Sequence, residues 1–269
     1  MNAVIKYPGA KWSYADWIVS YIPEHKFYVE PYFGSGAVYF NKNLSARETI
    51  NDIDGLVVNF FHACREYPMQ LAAAINLTPY SRDEYRLYEE AHAGESIKLT
   101  GDCVEDARRF AIRVSQSFGN KLADRCGWKN SKSPKGPNMP ELWNNLPDAI
   151  ISVAERLKHT QIENVNAIEL IAGCNSHNCL IYADPPYMGS TRNNKRIYRN
   201  EMMSEDAHTE LLIALLNHRG PVILSGYDNE LYDKMLMGWY KAHKTGRANS
   251  TEKRTETIWM NFNNQVRLF

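Results

Sequence analysis

The stretch from Leu180 to Tyr187, Leu-Ile-Tyr-Ala-Asp-Pro-Pro-Tyr, constrains the fold of this chain more than any other. Its apolar first half predicts a short buried strand, and the prolines end that strand because they cannot donate ladder hydrogen bonds. Asp184 is then held at the carboxyl edge of a sheet, where open α/β folds bind ligands. As the residue before a proline, Asp184 is confined to extended conformations. The acid is therefore aimed beyond the strand.

A planar ligand that carries an NH2 group matches the polar groups of this stretch. The Asp184 carboxylate and the backbone carbonyl of Pro185 would accept the two amine hydrogens, while Tyr187 would stack on the face of the ligand. The exocyclic amine of a nucleobase fits that description. The same residues also fit an ordinary strand followed by a proline turn, and by themselves they leave both interpretations open.

Composition narrows the class of protein. The 269 residues suffice for one large domain or for a core with an inserted module. Lys+Arg and Asp+Glu number 31 each, so any contact with nucleic acid depends on local basic patches. The five cysteines include no CxxC pair, and Cys174, His177 and Cys179 lack the spacing of a zinc site, so we expect a reducing compartment and no metal. Without an apolar leader or membrane-length run, we expect a soluble, cytoplasmic protein.

Two turns near the start of the chain suit a nucleotide. Pro8 and Gly9 favour a tight bend that leaves Tyr7 and Lys11 projecting, although a plain surface turn has the same pattern. Further on, a predicted strand over 27–30 leads through a glycine turn, 31–36, into a helix that begins near residue 37. Strand, glycine turn and helix form the opening of a nucleotide-binding α/β unit.

The details of that opening limit the kind of nucleotide. Gly34 and Gly36 let a ligand approach the backbone closely, but Tyr39 stands where the dinucleotide fingerprint needs a third glycine, which disfavours NAD. Asp52 follows the next predicted strand, 48–51, where an acid accepts hydrogen bonds from both ribose hydroxyls. Asp54 is expected to cap the following helix, and Asp52 as a second cap acid remains an alternative.

Two basic segments are candidates for contact with nucleic acid. The first, within 115–140, mixes cations with aromatic and small polar residues, a composition that equally fits a solvated loop. The second follows the strand that delivers Asp184, and a basic loop there would neutralise phosphates around a bound nucleotide. The proposed contacts are Lys121, Arg125, Trp128 and Lys129 in the first segment and Arg192, Lys195 and Arg196 in the second.

The remaining pattern completes an α/β core. Ser13 and Ser204 are predicted to cap helices, and His208 is expected to be a surface or structural histidine. A strand over 221–224 should end in a turn, 225–227. The polar stretch 247–254 is predicted to be a hairpin loop before a last strand over 257–262.

Taken in order, the motifs Tyr7–Lys11, Glu30–Gly36, Asp52 and Asp184–Tyr187 resemble those of the Dam-like, alpha-type, D12 class DNA adenine-N6 methyltransferases, and phage or prophage members in particular. The resemblance runs from about residue 4 to the end and rests on order and spacing. It implies an α/β fold, a Rossmann-like S-adenosylmethionine-dependent methyltransferase sheet with an inserted, mostly helical target-recognition domain. The implied catalytic domain covers 1–66 and 160–269, and the recognition domain covers 67–159.

The resemblance also implies roles for single residues. Relatives often carry an acid where this chain has Asn166, so a weaker contact with the cofactor adenine is expected there. Asp184, Pro185, Pro186 and Tyr187 would receive the N6 amine of an adenine flipped out of double-stranded DNA. The S-adenosylmethionine site would comprise Tyr7, Lys11, Glu30, Phe33, Gly34, Gly36, Asp52, Asn166 and Asp184.

The sequence leaves alternatives open for the substrate and for the activity. Cytosine N4 is also an exocyclic amine on a flat ring, and only the resemblance favours adenine. RNA substrates are less favoured, and an inactive DNA-binding relative would be expected to have a damaged Asp184 or glycine motif, which this chain does not have. The family pattern favours a monomer or weak dimer in the cytoplasm of a bacterium or phage-infected host. It leaves open a separate restriction endonuclease.

Overall fold

The computed structural model describes residues 3–90, 99–118, 126–130, 136–188, 202, 204–249 and 252–263. This part of the chain divides into two compact units. The helical unit contains Asp54–Ile162 together with the residues that end at Ala10, and the sheet unit contains Lys11–Ile53 together with the described residues from Glu163 onward. In the described ranges, no helix is long and apolar enough to cross a membrane.

Among the described residues, seven strands form one sheet in the order β3-β2-β1-β4-β5-β7-β6. Strands β1, β2, β4 and β5 pair in parallel, and β7 pairs antiparallel with both β5 and β6. The sequence 3-2-1-4-5 is the strand order of Rossmann-like α/β folds, which confirms the predicted fold class. The strands are β1 Phe27–Glu30, β2 Arg47–Asn51, β3 Thr160–Glu163, β4 Cys179–Ala183, β5 Val222–Gly226, β6 Tyr240–Asn249 and β7 Glu252–Met260.

The order of the strands reverses between β1 and β4, which lie side by side. In an open α/β sheet, ligands bind outside the carboxyl ends of the strands at such a reversal. Strand β1 ends at Glu30, directly before the glycine turn, and β4 ends at Ala183, directly before Asp184. The two strongest motifs of the sequence therefore leave the sheet at neighbouring strand ends.

Strand β4 is the centre of the core. All five of its residues are buried, as the apolar run predicts. Ile181 and Ala183 belong to a cluster that also contains Val29 of β1, Val222 and Leu224 of β5, and Trp259 of β7. The helix Glu205–Leu216 adds Leu211, Leu212 and Leu215 to the same cluster. Burial on this scale fixes the end of β4, and therefore the position of Asp184, within a packed core.

The helices are distributed between the two units. Helices α3 to α8 belong to the helical unit, where α3, α4, α6 and α8 pack on one another. The longest stretch of this unit starts at Asp54, before α3, and the domain boundary at residue 67 stays a prediction. The helices are α1 Ala15–Val19, α2 Ala37–Asn41, α3 Gly55–Glu66, α4 Pro68–Asn76, α5 Arg82–Glu90, α6 Cys103–Gln116, α7 Met139–Asn144, α8 Leu146–Leu157, α9 Ala167–Gly173, α10 Glu205–Leu216 and α11 Glu230–Met235.

Side-chain caps explain where several helices begin. Asp54 accepts a hydrogen bond from the Leu56 N–H at the start of α3, and Ser204 accepts one from the Ala207 N–H at the start of α10. Both caps confirm the sequence prediction. Ser13 was the predicted cap of α1, but the N-cap position is occupied by Tyr14, whose side chain makes no capping bond.

Two local predictions are wrong, each because strand pairing overrides a polar pattern, and a third is narrowed to one of its two alternatives. Ser225 and Gly226 belong to β5, where they pair with β7, and do not form a turn. The stretch 247–254 contributes to β6 and β7, which pair with each other, so the hairpin loop is shorter than predicted. His208 is fully buried, which excludes the surface role and retains the structural one: its ring contacts the Tyr232 hydroxyl and the Met202 carbonyl oxygen.

Candidate active site

Asp184 lies at the carboxyl end of β4 with its two oxygens in different environments. Oδ2 accepts a hydrogen bond from Nζ of Lys11 at 2.8 Å. Oδ1 is buried and has no hydrogen-bond partner among the described residues. Burial raises the pKa of this carboxyl above its ordinary value, and the Lys11 ammonium opposes the rise. A buried carboxylate oxygen without a partner costs free energy unless a ligand satisfies it, so Oδ1 is a strong candidate for contact with substrate.

Lys11 and Tyr187 complete the immediate surroundings of Asp184. The Lys11 ammonium lies 4.8 Å from the centre of the Tyr187 ring. That ring meets the ring of Tyr227, which follows β5, edge to face with 4.5 Å between centres. The sequence predicts that Lys11 lines a cofactor site, and its direct ion pair with Asp184 is an addition to that prediction. The two tyrosines form an aromatic surface beside the acid.

A second carboxylate, Glu256 of β7, reaches the same place. Its Oε1 accepts a hydrogen bond from the Tyr187 hydroxyl and lies 3.9 Å from Nζ of Lys11. Burial raises the pKa of Glu256 to about 7, with Lys11 opposing the rise and Asp184 adding to it. Sequence reasoning missed this residue. The available signal was an acid two residues before the apolar run Ile258–Met260 in the last strand.

The glycine turn after β1 forms the other part of the site. Gly34 and Gly36 have φ values of 51° and 66°, in the region that favours glycine. A Cβ on Gly36 would lie 2.4 Å from Cζ of Phe33, which leaves no room for a side chain. The Gly34 N–H donates to Oδ2 of Asp52 at 2.9 Å. The acid after β2 therefore shapes the turn after β1.

Two further contacts attach the parts of the site to one another. Trp12, next to Lys11, donates its indole N–H to the Ser35 hydroxyl of the glycine turn at 3.1 Å. Asn51, at the end of β2, donates to the carbonyl oxygens of Pro31 and Val165 and accepts from the Val165 N–H. Asn51 is a residue that sequence reasoning missed, since a buried amide with nonlocal partners leaves no local pattern.

Comparison with known proteins identifies the family of this chain. The model of the D12 class N6 adenine-specific DNA methyltransferases matches residues 7–251. The chain belongs to this family. Proteins named DNA adenine methylase, from Salmonella typhi and Salmonella typhimurium, are 23% identical over 259 residues, with 90% of this chain and 85% of each relative covered. The chain is therefore an adenine-specific DNA methyltransferase that acts on N6, as its motifs predicted.

A solved structure was also matched to this methyltransferase. It is the crystal structure of a putative RNA methyltransferase from Pyrococcus horikoshii, at 9% sequence identity over 95% of this chain and 84% of that one. The TM-score is 0.38, which is too low to support an argument. The fold assignment of the methyltransferase rests on its own strand order.

Three residues that were predicted to bind the cofactor make contacts within the methyltransferase itself. Asn166 caps α9 by accepting a hydrogen bond from the Ile168 N–H at 2.8 Å. Glu30 is buried and accepts a hydrogen bond from the Tyr28 hydroxyl at 2.6 Å, and burial raises its pKa to about 8. Tyr7 lies in the helical unit, within a turn closed by the Ala10 N–H and the Tyr7 carbonyl oxygen at 3.3 Å. Their contacts with a cofactor stay predictions.

The predicted DNA contacts of the methyltransferase fall into two groups. Trp128 and Lys129 are half-buried in the helical unit, where the Arg82 guanidinium lies 5.1 Å from the centre of the Trp128 ring. The Tyr80 hydroxyl donates to the Lys129 carbonyl oxygen. The others, Lys121, Arg125, Arg192, Lys195 and Arg196, lie outside the described residues. In the part of the chain that is described, no group of three or more metal-ligating side chains is arranged to hold an ion.

Proposed function

We propose that this chain transfers the methyl group of S-adenosylmethionine to N6 of an adenine flipped out of double-stranded DNA, with Asp184 as the catalytic acceptor. The observation that supports this proposal is the asymmetry of Asp184. Its Oδ2 is fixed by Lys11, while its buried Oδ1 lacks a partner within the described residues. An amine hydrogen of the target base would satisfy Oδ1.

Asp184 acts on an amine that is a poor nucleophile, because its lone pair is delocalised into the ring. A hydrogen bond to Oδ1 favours a pyramidal nitrogen whose lone pair points away from the ring plane. The cofactor would supply the methyl group and its sulfur would keep the electron pair of the broken bond, while Oδ1 would accept the N6 proton that the new bond displaces. The raised pKa of the buried carboxyl makes it a better proton acceptor.

Tyr187 supplies the surface on which the flipped base stacks. A base inside a duplex is out of reach of the acid, so it must leave the helix, at a cost of a few kcal/mol. Stacking on an aromatic side chain offsets about 1–3 kcal/mol of that cost. The edge-to-face contact with Tyr227 and the hydrogen bond to Glu256 hold the ring of Tyr187 in one orientation.

The residues at the ends of β1 and β2 suit the nucleoside part of S-adenosylmethionine. Gly34 and Gly36 present backbone without side chains, and the Asp52 carboxylate suits the ribose hydroxyls. The cofactor, when bound, supplies an activated methyl group on a sulfonium. The contribution of this chain is to hold it beside Asp184, and correct placement of two reactants is worth several kcal/mol of the barrier.

The test is methyl transfer from labelled S-adenosylmethionine to unmethylated genomic DNA, followed by nucleoside analysis of the digested product. We expect N6-methyladenine as the labelled nucleoside. N4-methylcytosine would contradict the base assignment and leave the role of Asp184 intact. DNA binding without any methylated product would contradict the catalytic proposal. Oligomeric state and a separate restriction endonuclease stay predictions.

A further inference from the structure

Glu256 reaches the active site from a strand that runs against the others. Strand β7 pairs antiparallel with β5, and Gly226, the last residue of β5, is opposite Thr257. The residue before Thr257 is Glu256, so this acid lies at the carboxyl end of β5. Because β5 is parallel to β4, that end is on the same edge of the sheet as Asp184. Only 4% of Glu256 is exposed, so its carboxylate is a buried part of the site.

The contacts of Glu256 connect two groups that the proposed reaction uses. Lys11 lies between two carboxylates, with Nζ 2.8 Å from Oδ2 of Asp184 and 3.9 Å from Oε1 of Glu256. The same Oε1 accepts the hydroxyl hydrogen of Tyr187. One side chain therefore contacts both the cation that pairs with the acid and the ring proposed to stack on the base.

We propose that Glu256 is a positioning residue for methyl transfer, which shares Lys11 with Asp184 and fixes the ring of Tyr187. This inference rests on the proposed function. A lysine paired with Asp184 alone would draw electron density from it and weaken it as an acceptor of the N6 proton. The second carboxylate offsets part of that positive charge, so Asp184 stays both ionised and basic. The hydrogen bond that Glu256 accepts from the Tyr187 hydroxyl also prevents the Tyr187 ring from rotating out of the stacking position.

The charged groups around Glu256 predict that the methyl-transfer rate depends on pH. The groups that face it are Lys11 before α1, Asp184 and Tyr187 after β4, and Tyr182 within β4, while Lys244 is its partner across β6. Burial raises the pKa of Glu256 to about 7. Above that pH the carboxylate is charged and shares Lys11, and below it the charge is lost. The methyl-transfer rate should therefore rise between pH 6 and pH 8.

Glu256→Gln separates charge from hydrogen bonding, because the amide oxygen still accepts from Tyr187. Single-turnover methyl transfer to duplex DNA should slow at pH 8 on the order of 10-fold to 100-fold. The rise in rate near pH 7 should disappear, and cofactor affinity should stay within a few-fold. Wild-type rates and an unchanged pH profile in this variant would overturn the inference.

Glu48→Gln is the matched control. Glu48 is a buried acid paired with a buried lysine, Lys42, and it has no place in the proposed site. Its replacement removes the same kind of charge and should lower thermal stability while leaving the pH profile of methyl transfer unchanged. A flattened profile in this control as well would mean that the effect of Glu256→Gln is a general cost of losing a buried charge, which overturns the inference.

Tyr187→Phe tests the hydrogen bond between Tyr187 and Glu256 by removing its donor. This variant also keeps the inference testable if Glu256→Gln does not fold. The variant keeps the ring and the charge of Glu256 but removes the hydroxyl. We expect KM for DNA to rise roughly 3-fold to 10-fold and the rise in rate near pH 7 to persist. An unchanged KM would contradict the positioning of Tyr187 by Glu256. A wild-type enzyme that forms no N6-methyladenine would contradict the proposed function itself, a result distinct from either variant outcome.

Discussion

The glycine turn after β1 and the acid cluster after β4 lie at neighbouring strand ends, yet they satisfy their polar groups in different ways. In the turn, the Asp52 carboxylate accepts a backbone N–H from Gly34, so the acid maintains the shape of the loop. In the cluster, Lys11 fixes one oxygen of Asp184, and the other has no hydrogen-bond partner in the described structure.

Under the proposed function, the turn would serve cofactor binding and the acid cluster would serve the reaction. A turn that is stabilised by its own acid is already formed before a ligand arrives, which reduces the ordering cost of binding. A carboxylate oxygen buried without a partner destabilises the free protein, and under the proposed function the reacting amine would satisfy it. We therefore expect changes in the turn to alter affinity and changes in the cluster to alter rate.

Asp184→Ala should have the largest effect and tests the cluster. Removal of the acceptor should lower the rate of methyl transfer about 10³-fold or more, because neither the geometry nor the proton of the amine is then controlled. Cofactor affinity, measured by calorimetry, should stay within a few-fold of wild type. Normal turnover would remove Asp184 from the mechanism. A large loss of cofactor affinity would mean that the acid cluster also binds the cofactor, which contradicts the division between the two regions.

Glu30→Gln tests the end of β1, which lies between the two regions, through the pH dependence of the free energy of unfolding. Burial raises the pKa of Glu30 to about 8 from an ordinary value of 4.5, and the charge of Asp184 contributes to the rise. The stabilisation that the protonated acid provides is complete below pH 4.5 and is lost as the pH rises toward 8. Wild type should lose up to about 1.4 kcal/mol per pH unit in that window relative to the variant. Thermal unfolding from pH 5 to pH 8 measures this, and parallel curves would contradict it.

Asp52→Ala tests the turn, with Asp54→Ala as its control. Loss of hydrogen bonds to a carboxylate costs about 1.5–3 kcal/mol, so affinity for S-adenosylmethionine should fall roughly 10-fold to 150-fold. The rate at saturating cofactor should change much less. Asp54 caps α3, and its replacement should cost about 1 kcal/mol of stability without altering affinity. Unchanged affinity in Asp52→Ala would transfer the ribose role to Asp54.

Lys129→Ala should have the smallest effect, because Lys129 lies in neither region. If this half-buried lysine contacts a phosphate, DNA affinity should fall a few-fold and the slope of log affinity against log salt should decrease by about 0.9. The rate from bound DNA should not change. Lys158→Ala, on an exposed lysine paired with Glu155, is the control and should leave the slope unaltered. Equal slopes in both variants would exclude Lys129 from the DNA contact.

The parts of the site that could be predicted from the sequence are those with a local physical cause. The apolar run before Asp184 and the prolines after it define both the strand and its end. Gly34 and Gly36 mark a turn that only glycine adopts easily, and Asp54 marks a helix start. Each of these signals lies within a few residues of the feature that it predicts.

The parts that could not be predicted depend on contacts between distant segments. Lys11 and Asp184 are separated by 173 positions, and nothing near either residue indicates the other. Glu256 enters the site through antiparallel pairing of β7, and the edge strand β6 beside it is polar enough to suggest a loop. Charged residues on edge strands are common because they prevent further strand pairing, and this weakens the local strand signal. Glu256 was therefore missed together with the strand that precedes it.

The pairing of β1 with β4 has a consequence for how far the helical unit can vary in sequence. Val29 pairs with Ile181, and the helical residues Asp54–Ile162 lie between them in the chain. The entropic cost of closing a loop grows slowly, by about 0.6 kcal/mol for each doubling of its length. Insertions and deletions within the helices therefore cost the sheet little. Evolution, or an engineer, can rebuild the intervening segment while the ends of β1 and β4 stay in register.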